Sequence, residues 1–543
     1  MSARSLALAV LAAALVGCGP GQQDAVVSGS AGPSSTTELH RGNGVEPDSM
    51  DPHKGEGTSG ASILRDLFEG LVATAPDGSL VPGAAASWDI GPDRKTYTFH
   101  LRPDGRWSNG DPVTAEDFVY GLRRSADPAT LSSYSQVLAP ILNAEAVIAG
   151  ELPPEALGAE AVDDHTLVIR LKGPTPYFLE LLTHSTTFAI HRPSVEKFGQ
   201  RFARPGTLVS NGAYVLDEWV VQSHIRLVKN PHYHDAERVR IETVYFYPIE
   251  NPSVELKRYR AGELDWTESL PHQQLDWVRE NLSEELHIAP YFGSYYFGFN
   301  VTRPPFRDQA GLRRALTMVI DRDILTEKVT GAGELPAYVY VPPIPGYQSP
   351  VPEWSAWSME ERLAKARQLY AEAGYGPENP LKFEIRYNTN ENHRRISLAL
   401  AAMWKQSLGV RTTLLNEEFK VFLETRKSKA ITEVFRAAWI GDYQDPFSFL
   451  EIMHSTHGQN DVGYSNPRYD ELVEASMLEP DPIRRMQQLA EAESILLEDQ
   501  PVVPLFFYVS RRVVKPWVKG WDNSLLDYHP TRHMYIDASS DGV

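Results

Sequence analysis

An arginine inside an apolar run and an aspartate just beyond its end are the residues of this chain best placed to do chemistry. They lie in Val434-Phe-Arg-Ala-Ala-Trp-Ile-Gly-Asp-Tyr-Gln-Asp-Pro-Phe-Ser-Phe-Leu450. Val434 to Ile440 mixes β-branched, aromatic and small residues around one charge, Arg436, which predicts a strand. Gly441-Asp-Tyr-Gln-Asp-Pro446 then supplies turn chemistry. Both charges need partners, because an unpaired buried charge costs several kcal/mol. Arg436 and Asp442 share parity, so in a fully extended chain they would face the same way, roughly 20 Å apart at about 3.3 Å per residue. Once both side chains and the turn are allowed for, the remaining gap suits a short extended zwitterion; a tripeptide spans about 10 Å at up to ~3.6 Å per residue. Two readings are open at this point. Either the pair grips the two ends of such a ligand, or each charge is satisfied by other groups of the protein.

Other chemistry lacks its parts. His232 and His234, with His224 nearby, form a His-x-His in a polar turn without cysteines or a His-Glu-x-x-His pattern, which is a poor metal site. No Gly-x-Ser-x-Gly elbow and no phosphate-cradling loop occur, so hydrolase and ATPase readings have no nucleophile and no phosphate cradle. No catalytic residue, cofactor or metal is implied.

The chain has 543 residues and a net charge of −19, with 42% hydrophobic and 23% charged residues. That length calls for two or three domains. The negative balance disfavours nucleic acid and anionic lipid surfaces as partners. At the N-terminus a short positive head, Met1 to Arg4, precedes an apolar run, Ser5 to Gly17, too short to span a bilayer but suited to a signal-peptide core. The run ends at Cys18, the chain's single cysteine, in a pattern that resembles a bacterial lipoprotein signal: cleavage before Cys18, then lipidation of its sulfur. Residues 19–37 are rich in Gly, Gln, Ser, Pro and Thr and read as a flexible tether. With no second cysteine, no internal disulfide can form.

Ile63, Leu64, Leu67, Phe68 and Leu71 recur at helical spacing and predict a helix over 62–71. Lys95 to Leu101 and Thr166 to Leu171 read as strands, with a helix opening at Thr114-Ala-Glu-Asp117 between them. Strands are expected at 212–216, 224–228 and 244–248. Beyond Tyr291, helices at 308–319, 359–373 and 394–408 alternate with strands such as 381–387, which predicts α/β layers on a substantially parallel sheet.

Several segments, in order, carry a resemblance: Asp51-Pro-His-Lys54; Arg65-Asp-Leu-Phe-Glu-Gly-Leu71; Trp107-Ser-Asn-Gly-Asp-Pro-Val-Thr-Ala-Glu-Asp-Phe-Val-Tyr120; Ser210-Asn-Gly-Ala-Tyr214; Pro304-Pro-Phe306; Trp439-Ile-Gly-Asp-Tyr-Gln-Asp-Pro446; and Val514-Lys-Pro-Trp517. Together, over nearly the whole chain from Glu38 onward, they resemble the periplasmic oligopeptide-binding proteins, family 5 solute-binding components of peptide ABC importers. The resemblance implies an α/β, bilobal, clam-shell fold of the periplasmic-binding-protein type with an extra third domain. The expected division is a leader at 1–17, a tether at 18–37, lobe I from 38–70, 190–292 and 508–543, the extra domain at 71–189, and lobe II at 293–507.

The same resemblance assigns roles. Asp442 would hold a peptide's α-ammonium, while Arg436, Arg426 and His393 would hold carboxylates of peptides of different lengths. Termini are the charges common to all peptides, so a sequence-tolerant receptor should grip them by charge-assisted hydrogen bonds. The backbone from Ala438 to Ile440 would bind the ligand by strand addition. Trp439, Tyr134 and Tyr508 would supply flat walls and hydrogen-bonding groups, and Glu56 completes the candidate contacts. Two departures bear on selectivity. Gly298 ends Tyr295-Tyr296-Phe297-Gly298 where well-known relatives carry an acid, and Phe419 stands where they carry Trp. The expected protein is a monomeric, lipid-anchored receptor in the periplasm or cell envelope, delivering peptides of roughly two to five residues, at ~3.3 Å each, to an ABC permease and its ATPase subunits. A murein-peptide receptor on the same scaffold is the alternative; a secreted peptidase or periplasmic chaperone is the reading from another class.

Overall fold

A computed structural model describes residues 32–33, 35–55 and 57–539. Cys18, Glu56, the leader and most of the tether lie outside the described residues. Three principal sheets organise the rest. The first has the strand order Glu38–Gly42, Thr243–Tyr247, His224–Lys229, Tyr214–Val220, its first pair parallel and the others antiparallel. A second, wholly antiparallel sheet runs Ala85–Ile90, Thr96–Leu101, Thr166–Arg170, Ala159–Asp163. Along Thr96–Leu101 the aromatic and aliphatic side chains Tyr97, Phe99 and Leu101 alternate inward, as the period of two requires.

The third sheet carries the opening motif. Its order is Leu335–Pro336, Val502–Val513, Leu286–Phe299, Val434–Ile440, Lys382–Asn388, Arg411–Glu417. Here the expectation of a substantially parallel sheet fails. Only the pairings of Lys382–Asn388 with its two neighbours are parallel, and the other three are antiparallel. The reason is the long pair Leu286–Phe299 and Val502–Val513. These strands pair antiparallel over most of their length, and Val434–Ile440 is laid antiparallel against the first of them.

The helix expected at 62–71 begins earlier, at Gly57, and stops at Leu67. Its end is set by tertiary partners. Leu67 O accepts the Gly212 N–H at 2.8 Å, and the Asn211 side-chain amide bonds both the N–H and the C=O of Glu69, at 3.1 and 2.8 Å. These bonds take over main-chain groups that another turn of helix would have used. Ile63, Leu64 and Leu67 are buried, and so is Asp66 on the same helix.

After Val513 the chain returns to the first sheet. Thr267 N–H donates to Val513 O at 3.1 Å, and the Trp517 indole donates to Asp265 at 2.9 Å. Arg41 donates to His529 O at 3.1 Å and to Thr531 Oγ1 at 2.9 Å, while Thr531 N–H donates to Asp66 at 2.8 Å. Among the described residues no helix is long and apolar enough to cross a membrane.

Asp66→Ala would leave the buried Thr531 N–H unsatisfied and remove the carboxylate whose field acts most strongly on Arg41. A loss of ~1–3 kcal/mol, the cost of one orphaned buried group, should appear as a lower urea midpoint for the C-terminal segment's release.

Candidate functional site

The turn beyond Val434–Ile440 is fixed from several sides. Gly441 N–H donates to Phe292 O at 2.8 Å, and a side chain at this glycine would press into the Phe292 and Phe449 rings, so the close approach requires glycine. Asp442 N–H donates to Ser448 Oγ at 3.0 Å, and Phe447 N–H to Asp445 Oδ1 at 2.9 Å. Arg485 forks onto both oxygens of Asp445 at 2.6 and 2.8 Å, the two side chains only 1% and 8% exposed. From the antiparallel-sheet region, Tyr177 stacks on Tyr443 at 4.6 Å, and Glu180 accepts the Gln444 N–H at 2.8 Å.

This framework leaves Asp442 itself uncommitted. Both its hydrogen bonds are made by its main chain, the second being Tyr528 Oη to Asp442 O at a long 3.4 Å. No cation of the described residues forms an ion pair with its carboxylate. Burial pushes that carboxyl up to about 7, against the lowering field of Arg65. It lines a cavity of about 560 Å³ together with Ala438, Trp439, Ile440, Tyr134 and Tyr508. That volume falls in the range of small-ligand sites, roughly 300–1,000 Å³.

One edge of Val434–Ile440 is open. The strand Lys382–Asn388 pairs only with Val434 and Phe435 before diverging. Gly441 N–H points toward Leu286–Phe299, so by alternation the main-chain groups of Arg436, Ala438 and Ile440 point to the opposite edge. Arg426 approaches Arg436 O there, at 3.5 Å. The geometry is that of a sheet edge able to take one more extended chain alongside Ala438 and Ile440. Trp439 adds a buried indole N–H that has no partner among the described residues.

Arg436, Arg426 and His393 do not line this cavity; Tyr508 stands between it and Arg436. Arg436 donates to Tyr508 Oη at 3.0 Å and to Asn388 Oδ1 at a long 3.4 Å, and its guanidinium lies 5.0 Å from the Tyr295 ring. It has no carboxylate partner among the described residues, and its Nε is unpaired. His393 Nδ1 lies 3.1 Å from Tyr295 Oη. Burial, Arg436 and His272 together hold its imidazole well below the ordinary histidine value, so it is neutral at pH 7. Arg426 is committed to Asp461 at 2.6 Å. The other histidines diverge: His224 pairs with Glu218 and His234 with Glu69.

Sequence reasoning did not single out Arg65, Glu268 or Tyr528, all of which line the cavity. Arg65 projects from the amphipathic helix Gly57–Leu67, and its guanidinium lies over the Tyr528 ring at 3.4 Å. In the sequence it is one of many charges on a polar helix face; only the return of the C-terminal segment makes it a wall of the site.

The description "Bacterial extracellular solute-binding proteins, family 5 Middle" matches residues 79–461. The chain is 41% identical over 503 residues to the periplasmic oligopeptide-binding protein OppA of Escherichia coli K12, covering 92% of each chain. Its fold superposes on the Escherichia coli murein tripeptide binding protein MppA with a TM-score of 0.87 at 40% identity, covering 93% of this chain and 99% of that one. MppA in its unliganded open form superposes less closely, with a TM-score of 0.74 at 40% identity, covering 94% and 99%.

Replacing Asp445 tests the frame without touching the cavity wall. Asp445→Ala strands the Arg485 guanidinium in the core, and unfolding by urea should report a loss of about 3–5 kcal/mol, the cost of breaking a buried pair by removing one partner.

Proposed function

The chain belongs to the bacterial extracellular solute-binding proteins of family 5, and we propose from that premise that it captures short peptides and hands them to an ABC importer. The observation that carries this reading is the Asp442 carboxylate, buried in a cavity wall and without an ion-pair partner among the described residues. A carboxyl in that state gains most from a ligand that brings its own positive charge, and a peptide's α-ammonium is such a group. The open edge at Ala438 and Ile440 then bonds the peptide main chain, which makes capture tolerant of side chains.

The carboxylate end falls to the cationic side of the site. Arg436 receives it with Tyr508 as the shared partner, and His393 and Arg426 serve other peptide lengths. Peptides of roughly two to five residues, at ~3.3 Å each, suit this arrangement. Tyr134 and Trp439 wall the ligand, and Glu56, which lies outside the described residues, is kept as a further candidate contact. In this reading lobe I, the extra domain at 71–189 and lobe II at 293–507 are each built round one of the three sheets, with Leu286–Phe299 and Val502–Val513 running across the boundary between the lobes, and the contacts of Tyr177 and Glu180 with the 443–444 turn support a shut cleft. Ligand would favour this form over an open one by touching both sides at once.

We read the N-terminus as a cleaved leader followed by lipidated Cys18, so that the receptor works as a monomer tethered in the cell envelope beside a permease and its ATPase subunits. It performs no catalysis in this reading, and bound peptide is returned intact. Murein peptides are the second ligand class, favoured by the close superposition on MppA.

The pH dependence of binding tests the role of Asp442. In the empty cavity its carboxyl is raised to about 7, so capture is favoured above that pH and weakens as pH falls through it. A free α-amino group loses its proton near 7.7–8.0, so affinity should peak at about pH 7–8. Asp442→Asn should remove the acid limb and weaken capture by ~2 kcal/mol, about thirtyfold. An unshifted profile and unchanged affinity in a folded variant would rule Asp442 out as the amino anchor.

A further inference from the structure

Beside Asp442 the main cavity opens into a recess of about 40 Å³, with Tyr134, Trp439 and Asp442 common to both walls. At ~10–15 Å³ for each water-sized group, the recess admits an ammonium and its last methylene carbons, but no aromatic ring. Its floor holds a second carboxyl, Glu451, whose one hydrogen-bond partner among the described residues is Tyr443 Oη at 2.8 Å. No lysine or arginine lines the recess. Its one basic residue, His457, is pushed down to about 4 by burial and the nearby His454, so it carries no charge at neutral pH. Arg485, whose guanidinium lies 5.1 Å from the Tyr177 ring, is occupied by Asp445.

Burial pushes the Glu451 carboxyl up to about 8; the Tyr443 hydrogen bond offsets part of this, and Asp442 and Asp445 add to it. A further wall residue is also unsatisfied. Tyr177 is 3% exposed and lines the recess, and among the described residues no group meets its hydroxyl at good hydrogen-bond geometry, its neighbour Tyr443 lying stacked against it. An ammonium offers three donors, which matches a carboxylate on the floor and an idle hydroxyl in the wall. A neutral side chain would leave both where they are.

We propose that this recess receives a second cation of the same ligand, the side-chain ammonium of its N-terminal residue, with Glu451 as the specificity-determining carboxylate. The favoured ligands are peptides that begin with a diamino acid such as lysine or ornithine, the α-ammonium on Asp442 and the side-chain ammonium on Glu451. The inference rests on the terminal capture proposed above and adds a side-chain preference to it. It also supplies an acidic contact in a chain that has Gly298 where relatives carry an acid.

The test is calorimetric titration with Lys-Ala-Ala and with norleucyl-Ala-Ala, which has nearly the same shape without the side-chain charge. The wild-type protein should bind the lysyl peptide at least tenfold more tightly at pH 8, and Glu451→Gln should bring the ratio to within twofold. In the wild type alone, the ratio should grow from pH 6 to pH 9 as Glu451 loses its proton. The α-amino group titrates alike in both peptides and cancels from the ratio, so this arm does not depend on how well the variant folds. A wild-type ratio near one, a ratio flat with pH, or a preference that survives in the variant overturns the proposal while leaving terminal capture standing. Failure of both peptides to bind would overturn terminal capture, and this inference with it.

Discussion

An aspartate without an ion-pair partner among the described residues is the constraint on which this site depends. Left to itself, a desolvated carboxylate takes a proton or finds an arginine. Asp442 is prevented from finding one because the turn that carries it is already satisfied. Asp445 holds Arg485, Ser448 accepts the Asp442 N–H, and Glu180 caps the N–H of Gln444. Each bond that rigidifies the turn also removes a possible partner for Asp442, so the carboxylate faces the cavity. A site built in this way is preorganised for a cation, because the cost of isolating the charge is borne by folding rather than by binding.

Tolerance and selectivity then come from different parts of the same wall. The open edge of Val434–Ile440 offers main-chain groups that every peptide can use. Side-chain discrimination has to come from recesses off that edge, and the one beside Asp442 carries a carboxyl of its own. Because the turn is touched by Tyr177 and Glu180 from one region and by Tyr528 from another, its geometry would belong to the shut form in the closure proposed above. Opening the cleft would hydrate Asp442 and Glu451 and lower both carboxyls toward their ordinary values.

Much of this was legible in the sequence, for local reasons. The strand and turn at 434–446 announce themselves by periodicity, Gly and Pro, and the position of Asp442 follows. The helix Met359–Glu372 opens at Ser358 with a capping box completed by Glu361, and its expected end at 373 is off by one residue. What could not be read depends on contacts distant in the chain. The helix at Gly57–Leu67 stops where Asn211 takes its main-chain groups, and a period of 3.6 cannot foresee that. The sheet is mixed because Leu286–Phe299 pairs with a strand some two hundred residues later. Arg436 shares parity with Asp442 as expected, yet Tyr508 screens it from the cavity. Arg65 and Glu451 gain their significance only from what packs around them.

The most direct test of the central claim is calorimetry on the chain from Glu38 onward, stripped of co-purified ligand by partial unfolding and refolding. Trialanine and N-acetyl-trialanine would be titrated side by side, since they differ at the one group Asp442 is held ready to meet. Tight binding of the free peptide, with the acetylated one weakened by about thirtyfold or more (~2 kcal/mol), is the expected result. Equal binding of both, or binding of neither, would contradict the assignment of Asp442 as the anchor of a peptide's amino end.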